Sequence, residues 1–281
     1  MTDTGAKLVV GCGYLGLRVA RQWRDQGARV HAITRSTERA RSLAEEGLEP
    51  IIGDVTASTG LGGLPAVDTL FWAVGFDRTA GASYRDVHVG GLGRVLDGLP
   101  DAPRVVLSSS TGVWGIDDGS VVTETTPAHP TREAGRVLLE AEALLDARAG
   151  DRGTALRFAG LYGPGRLPRL DDLKAGRPIA ADPDSWLNLI HADDAARIVV
   201  AVAAAPCARR LYVVSDGHPV RRRDWYAHLA TRTGSPPPTF DTTAERTRGA
   251  DKRVDPSLLF HDIPLALDYP DSFHGIDAIV S

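Results

Sequence analysis

A glycine-rich turn near the start of the chain has the spacing of a phosphate-binding loop. Gly11, Gly13 and Gly16 in GCGYLG follow a short apolar run and lead directly into a helix-length segment. In this pattern the first glycine permits a tight turn, the second lets the backbone approach a pyrophosphate, and the third lets helix and strand pack closely. The helix N-terminus then stabilises the phosphate charge. The loop, including Tyr14 and Leu15, is therefore predicted to bind a dinucleotide cofactor.

The residues after the second predicted strand bear on which dinucleotide binds. Arg35 follows Gly16 by about 20 residues, the spacing at which NAD-binding chains place an acid for the ribose 2′-hydroxyl. An arginine there, followed by Ser36, favours a 2′-phosphate, so NADP(H) is predicted over NAD(H). The alternative is a solvated arginine at a strand end. Asp54, which ends the third strand in IIGD, is a candidate for the adenine rim or a simple turn residue.

Short β-type runs alternate with helix-length segments along most of the chain. The predicted strands lie in KLVVGC, RVHAIT, LEPIIGD, DTLFWAV, RVVLSSS, TALRFAG and RLYVVSD. Continuous Val, Ile and Leu strands separated by helices are what a parallel sheet covered on both faces requires. The predicted fold class is α/β, a Rossmann-type doubly wound parallel sheet with a smaller C-terminal substrate lobe.

The loss of this alternation in two places suggests how the domains are organised. We predict a dinucleotide-binding Rossmann domain over residues 1–160, to which residues 186–215 return. Residues 161–185 and 216–281 are irregular and rich in Pro and Arg, including SPPPTF, and are predicted to form the smaller substrate-binding lobe. The two lobes are thus expected to interleave in sequence.

Composition and charge narrow the class of protein. The chain of 281 residues is 43% hydrophobic and 24% charged, an ordinary globular composition. Its formal net charge of -4, with acidic and basic residues mixed, argues against a nucleic-acid partner. The N-terminal stretch lacks signal-peptide regions, and the longest apolar run, IVVAVAAAP, is far shorter than the ~20 residues of a membrane span. We expect a cytoplasmic protein with a small-molecule substrate and no membrane partner.

Other site chemistries lack their sequence patterns. The two cysteines, Cys12 and Cys207, and the scattered histidines give no zinc-ligand spacing, so no metal site is predicted and the thiols are expected to be reduced. Neither G-x-x-x-x-G-K-[ST] nor G-x-S-x-G occurs, which disfavours nucleotide hydrolysis and a serine-hydrolase elbow.

Five motifs occur in a family-like order: GCGYLG, IIGD, VVLSSSTGVWG, RFAGLYGPGR and NLIHADDAA. With them the chain resembles the extended short-chain dehydrogenase/reductase family of NAD(P)-dependent epimerases and dehydratases, and within it an atypical branch. The family usually uses a Ser or Thr after the fifth strand and a Tyr-x-x-x-Lys pair on the next helix. The resemblance places Ser110 on the family's serine, where it would orient a substrate oxygen.

The next helix departs from the family pattern. In HPTREAGRVLLEAEALL, Thr131 is expected to cap the helix, and Glu140 sits where the family often has a glutamate four residues after the lysine. By that register Arg136 replaces the lysine and Arg132 replaces the tyrosine. Arg136 can still hold the nicotinamide ribose, but neither arginine can relay protons near neutral pH. The alternative for both is a solvated helix face.

Other residues are therefore candidates for moving the proton. Tyr162 in LYGPGR resembles the family's tyrosine near the substrate; alternatively it is a half-buried tyrosine that closes a strand end. His88 occupies the place of a family asparagine beside the active site, or is a structural histidine. His191 resembles a residue that mainly seats a helix of the cofactor domain.

The resemblance implies an NADP(H)-dependent oxidoreductase acting by hydride transfer on a small carbonyl, hydroxyl or sugar-like substrate. The missing Tyr-x-x-x-Lys pair leaves open a cofactor-binding protein without turnover, a sensor or partner-binding module. A nucleotide-sugar epimerase or dehydratase is a third interpretation, by fold analogy. Family members often dimerise, so a homodimer is a possible assembly.

Overall fold

The computed structural model describes residues 5–57, 61–206, 208–243 and 251–280. Its strands are β1 (Ala6–Val10), β2 (Arg29–Thr34), β3 (Glu49–Ile52), β4 (Thr69–Trp72), β5 (Arg104–Ser110), β6 (Val121–Val122), β7 (Gly153–Phe158), β8 (Gly160–Tyr162), β9 (Trp186–Leu187), β10 (Leu189–His191), β11 (Leu211–Val214), β12 (Val220–Arg221) and β13 (Arg253–Val254). Its α-helices are α1 (Tyr14–Asp25), α2 (Thr37–Glu45), α3 (Leu92–Gly98), α4 (Glu133–Ala149), α5 (Leu170–Lys174), α6 (Ala192–Ala204), α7 (Arg222–Thr233), α8 (Ser257–Asp262) and α9 (Ser272–Val280). A π-helical segment, Asp86–Gly91, leads into α3.

The central sheet has seven strands in the order β11-β7-β5-β4-β1-β2-β3. Strand β1 pairs in parallel with β2 on one side and with β4 on the other, and the pairs β2–β3 and β4–β5 are also parallel. The strand order therefore reverses beside β1, which is where α/β sheets of this type bind their ligands. The predicted Rossmann-type doubly wound sheet is confirmed.

The strands that the sequence marked most clearly are those enclosed on both faces. β2 and β5 span the predicted runs RVHAIT and RVVLSSS, and most of their residues are buried. A strand buried on both faces has no alternation of apolar and polar residues, so a continuous apolar run is its sequence signal.

Helix α4 is the helix of the segment HPTREAGRVLLEAEALL. Its apolar stripe, with Val137, Leu138, Ala141 and Leu145, is buried, as the 3.6-residue period predicts. The predicted cap is wrong: the residue before the first helical residue is Arg132, and no side chain caps the helix there. The helix thus starts one residue later than a Thr131 cap would place it.

The chain divides into two compact units. Unit 1 comprises the described residues of Met1–Ser110, Arg132–Arg157 and Ala196–Tyr212; unit 2 comprises those of Thr111–Thr131, Phe158–Ala195 and Val213–Ser281. This division differs from the predicted boundaries, because residues 111–131, 158–160, 186–195 and 213–215 fall in unit 2. The function predicted for the smaller lobe stays a prediction.

Each unit has its own apolar core. That of unit 1 lies around the sheet and includes Leu8, Trp72, Leu107 and Leu145. The core of unit 2 is built from different elements and includes the residues Tyr162, Leu189, Trp225, Leu229 and Ile276. Among the residues that the structure describes, no helix combines the length and apolar content needed to cross a membrane.

Candidate functional site

The glycine loop joins β1 to α1, and two of its glycines are required by the packing of the protein itself. Gly11 has a φ of +91°, and a Cβ there would lie 2.6 Å from the backbone of Ala73 and Val74, just beyond β4. A Cβ on Gly16 would overlap the carbonyl oxygen of Gly11. Both positions therefore exclude a side chain, one because the loop crosses the end of β4 and the other because α1 packs tightly on the loop.

Gly13 differs from these two glycines. It is exposed, and a Cβ placed on it would meet no atom within 4 Å. Gly13 stands at the start of α1, where no side-chain hydrogen bond caps the helix. The first N–H groups of a helix lack intrahelical acceptors, and the helix dipole makes that end positive. The space beside Gly13 thus fits an anionic group held by backbone N–H donors.

The two other loop residues secure the start of α1. Leu15 is buried. Tyr14 is half-buried, with the guanidinium of Arg18 lying 4.1 Å from its ring centroid and donating to its carbonyl oxygen at 2.8 Å. Cys12, between the first two glycines, is buried, and burial raises the pKa of its thiol to about 11. The Cys12 thiol is therefore neutral; Cys207 lies outside the described residues.

The end of β2 carries the predicted nucleotide-selecting residues. Arg35 is exposed, and its Nη2 donates to Oδ2 of Asp77 at 3.2 Å. Ser36 caps α2 by accepting a hydrogen bond from the backbone N–H of Arg39 at 3.1 Å. Arg39, for which motif spacing gives no signal, donates from its Nη2 to the carbonyl oxygen of Cys12 at 3.2 Å. The arginine-rich end of β2 and the glycine loop are therefore in direct contact.

Asp54 follows β3 and forms a local turn. Its Oδ1 accepts hydrogen bonds from the backbone N–H and the hydroxyl of Thr56, at 2.8 and 2.7 Å. Burial acts to raise the pKa of this carboxyl, but the bonds from Thr56 and the nearby charges of Arg35 and Arg94 bring it below its ordinary value. The geometry favours the turn role, and contact with adenine stays a prediction.

Ser110 is the last residue of β5 and is half-buried at the carboxyl end of the strand. The residue before it belongs to a buried polar network: the Ser109 hydroxyl donates to Oε1 of Glu142 at 2.5 Å. Arg157 donates to both oxygens of Glu142, at 3.0 and 2.7 Å. This network ties the end of β5 to α4 and β7 within unit 1, and so fixes the backbone that carries Ser110.

Glu140 and Glu142 of α4 offer two ways to align this helix with the family's Tyr-x-x-x-Lys pattern. Glu140 is exposed and pairs with Arg85, whereas Glu142 is the inward glutamate just described. If Glu142 takes the place of the family's glutamate, the lysine position moves to Leu138, which is buried, and the tyrosine position moves to Ala134. Neither register contains a Tyr-x-x-x-Lys pair.

The arginines of the predicted register are both on the surface. Arg132 and Arg136 are exposed. For Arg136 this is compatible with binding a cofactor ribose and equally with a solvated helix face, so its role stays a prediction.

Tyr162 lies in the core of unit 2, and its surroundings do not fit a proton donor. The side chain has no exposed surface, and its hydroxyl donates to the carbonyl oxygen of Asp271 at 3.4 Å. The ring meets the His191 imidazole edge to face, with centroids 5.2 Å apart. Burial raises the pKa of the phenol far above its ordinary value. The structure favours the second interpretation of the sequence, a tyrosine that closes a strand end.

The two histidines are buried in different units. His191 has no exposed surface, and its Nδ1 accepts the backbone N–H of Asp193 at the start of α6, which matches the expected seating role. His88 lies in the π-helical segment, and its ring contacts that of Tyr84 at a centroid distance of 4.2 Å, with the ring planes inclined at 43°. Burial lowers the pKa of His88 to about 4, so its imidazole is neutral.

The described residues also bear on metals. Among them, no group of three or more His, Cys, Asp or Glu side chains is arranged to hold a metal ion. The donor set around the glycine loop, made of backbone N–H groups and guanidinium groups, is instead one that recognises phosphate.

Comparisons with known proteins identify solved structures of the same fold. A structure described as a putative NAD-dependent epimerase/dehydratase from Methylobacillus flagellatus is 31% identical and superposes with a TM-score of 0.80, over 99% of this chain and 98% of that one. MoeE5, solved in complex with UDP-glucose and NAD, has a TM-score of 0.78 over 98% of this chain and 97% of that one; at 23% identity it shows the shared fold alone.

A curated relative matches over a shorter region. Protein YeeZ of Escherichia coli (strain K12) is 35% identical over 170 residues, so the chain spans 60% of the length of this relative. The model of the NAD dependent epimerase/dehydratase family matches residues 7–214, about three quarters of the chain. The protein therefore belongs to the NAD dependent epimerase/dehydratase family.

Proposed function

We propose that the protein is an NADP(H)-dependent oxidoreductase of the extended short-chain dehydrogenase type, acting on a small carbonyl, hydroxyl or sugar-like substrate. The observation that carries the proposal is the contrast within the glycine loop. The protein's own packing requires Gly11 and Gly16 but leaves open space at Gly13. Open space beside a helix N-terminus is what close approach of a pyrophosphate needs. Arg35 supports a phosphate on the adenosine ribose.

Two residues of unit 1 are proposed to orient the substrate and to hold the nicotinamide ribose. Ser110 lies half-buried at the carboxyl end of β5, and its hydroxyl can both donate to and accept from a substrate oxygen. Arg136, exposed on α4, offers guanidinium donors to the hydroxyls of the nicotinamide ribose. When bound, the cofactor supplies the hydride. Because Tyr162 is enclosed in its own core, water is the proposed proton source.

Unit 2 contains a cleft whose size and lining fit a small polar ligand. Its volume is about 480 Å³, within the range of small-molecule sites. Asp216, His218 and Arg253 line it together with the ring of Phe260. Polar groups beside an aromatic ring are suited to a ligand with several hydroxyl or carbonyl groups, such as a sugar.

A non-catalytic NADP(H) sensor is the second candidate. It is favoured by the absence of a Tyr-x-x-x-Lys pair in both registers of α4 and by the burial of Tyr162. A nucleotide-sugar epimerase or dehydratase is a third candidate, for which the support is the family and the fold shared with MoeE5.

The test is NADPH oxidation by the purified protein with a panel of aldehydes, ketones and sugar nucleotides. Turnover that Ser110→Ala abolishes at unchanged cofactor affinity is the expected result. Tyr162→Phe, which removes only the enclosed hydroxyl, is expected to retain turnover. If this variant folds normally but loses turnover, Tyr162 is the proton donor. NADPH binding without turnover on any substrate would favour the sensor.

A further inference from the structure

Two arginines lie near the start of α2, and their surroundings differ. Arg35 precedes the helix and is exposed on the surface. Arg39 is in the first turns of the helix and is half-buried. Both stand beside the region where the adenosine half of a dinucleotide binds in a sheet of this order, at the carboxyl ends of β1 and β2.

The charge of Arg35 is already compensated within the protein. Its Nη2 lies 3.2 Å from Oδ2 of Asp77, and both side chains are about half exposed. Asp54 is close enough for Arg35 to lower the pKa of its carboxyl. An incoming phosphate would therefore compete with two carboxylates for this guanidinium.

The carboxylate near Arg39 is engaged by another residue: Arg39 helps to lower the pKa of Glu46, but both oxygens of Glu46 accept hydrogen bonds from Arg21, at 2.6 and 2.9 Å. Within the described part of the chain the Arg39 side chain forms no ion pair, and its Nη2 donates to the carbonyl oxygen of Cys12 at 3.2 Å. A guanidinium has five N–H donors in a rigid fork, so one bond to a carbonyl leaves most of them available. Arg39 also acts to lower the pKa of the Cys12 thiol, but burial keeps that thiol neutral and so leaves the arginine's charge intact.

The contact with Cys12 also positions Arg39. Cys12 lies between Gly11 and Gly13, so the bond holds the guanidinium against the loop proposed to bind the pyrophosphate. The backbone N–H of Arg39 is fixed in turn by the cap Ser36. A side chain held at both ends loses little conformational freedom when it binds a ligand, which favours a tight and selective contact.

We propose that Arg39 is the residue that binds the phosphate monoester on the adenosine ribose and thereby sets the preference for NADP(H), with Arg35 in a secondary role. The inference rests on the proposed function, because it concerns which residue of that site reads the phosphate. It assigns selectivity to a residue four positions beyond the one that the spacing of the motif indicates.

The test is calorimetric titration of NADP+ and NAD+ into the wild type and the variants Arg39→Ala, Arg39→Lys and Arg35→Ala. Arg41→Ala is the matched control, because Arg41 is an exposed arginine on the same helix. Losing a charge-assisted phosphate contact should weaken NADP+ by about 10- to 100-fold in Arg39→Ala. The affinity for NAD+ should change less than about twofold, and Arg41→Ala should match the wild type.

Arg39→Lys guards against a folding defect, since it keeps the charge but not the fork; an intermediate loss for NADP+ is expected. Titrating adenosine 2′,5′-bisphosphate and 5′-AMP into the same variants compares ligands with and without the 2′-phosphate in the absence of the nicotinamide half. A larger selective loss in Arg35→Ala than in Arg39→Ala, or equal losses for NADP+ and NAD+ in Arg39→Ala, would overturn the inference while leaving the proposed function intact. A wild type that binds no dinucleotide would overturn both.

Discussion

Replacing Glu142 with alanine is expected to destabilise the protein by about 3–5 kcal/mol, because it removes the carboxylate that pairs with the buried Arg157 guanidinium. The magnitude follows from burial: the two side chains are 12% and 7% exposed, and Ser109 loses its acceptor as well. Glu140 on the same helix is the matched control. Its partner Arg85 is 64% exposed, and exposed pairs contribute only about 0.2–1 kcal/mol.

Urea unfolding followed by tryptophan fluorescence measures these free energies. The double variant Glu142→Leu/Arg157→Leu removes both charges and should recover most of the loss, since burying the Arg157 charge is costly once the Glu142 carboxylate is gone. A Glu142→Ala variant no less stable than Glu140→Ala would refute the view that this network holds the end of β5.

Three further changes test the burial of particular groups. Burial raises the pKa of the Asp216 carboxyl to about 8; the unfolded chain ionises near an ordinary value of about 3.9, so stability falls as pH rises between the two. In urea titrations, the stability of Asp216→Asn relative to the wild type should therefore rise by about 1.4 kcal/mol per pH unit between pH 5 and 7. A stability difference that does not change with pH would contradict the burial of this carboxyl. For His88 the pH dependence of stability is reversed, because burial lowers the pKa of its imidazole to about 4. The wild type should lose about 3 kcal/mol of stability relative to His88→Leu as pH falls from about 6.5 to about 4. Absence of this loss would show that the ring is accessible to protons. Gly275→Ala in α9 would be stabilised by about 1 kcal/mol from helix propensity alone, but its Cβ would overlap the Tyr162 hydroxyl. Thermal melts should therefore show a net loss of stability of about 1–3 kcal/mol. A rise in Tm would show that the core rearranges to accommodate the methyl group.

Much of the sheet could be predicted because its strands are buried on both faces. β2 and β5 match the predicted runs residue for residue, since a short, continuous apolar run is typical of a strand enclosed on both faces. The glycine loop was predictable for a related reason: the packing of the protein excludes a side chain at Gly11 and Gly16, and the proposed pyrophosphate needs open space at Gly13. The π-helical segment Asp86–Gly91 had no comparable signal, because a local widening of a helix leaves the 3.6-residue pattern nearly unchanged.

The polar contacts of the site were harder to predict, for two different reasons. The sequence did contain a signal for Glu142: it lies four residues after Leu138 and three before Leu145, both buried, whereas at the same spacings Glu140 has the exposed residues Arg136 and Ala143. Arg39 had no such signal, because its contact with Cys12 joins residues that are 27 positions apart. Motif spacing indicates one residue at the end of β2 and says nothing of a neighbour one helical turn further on.

The most direct test of the central claim is titration of NADPH, NADP+, NADH and NAD+ into the wild type and into Gly13→Ala. A Cβ at this position would meet no protein atom within 4 Å, so the variant should fold with a Tm close to that of the wild type. The wild type should bind the phosphorylated pair more tightly than NADH and NAD+, and Gly13→Ala should lose most of that affinity because its methyl group occupies the space of the pyrophosphate. Failure of all four to bind, or equal binding by the folded variant, would contradict the proposed cofactor site.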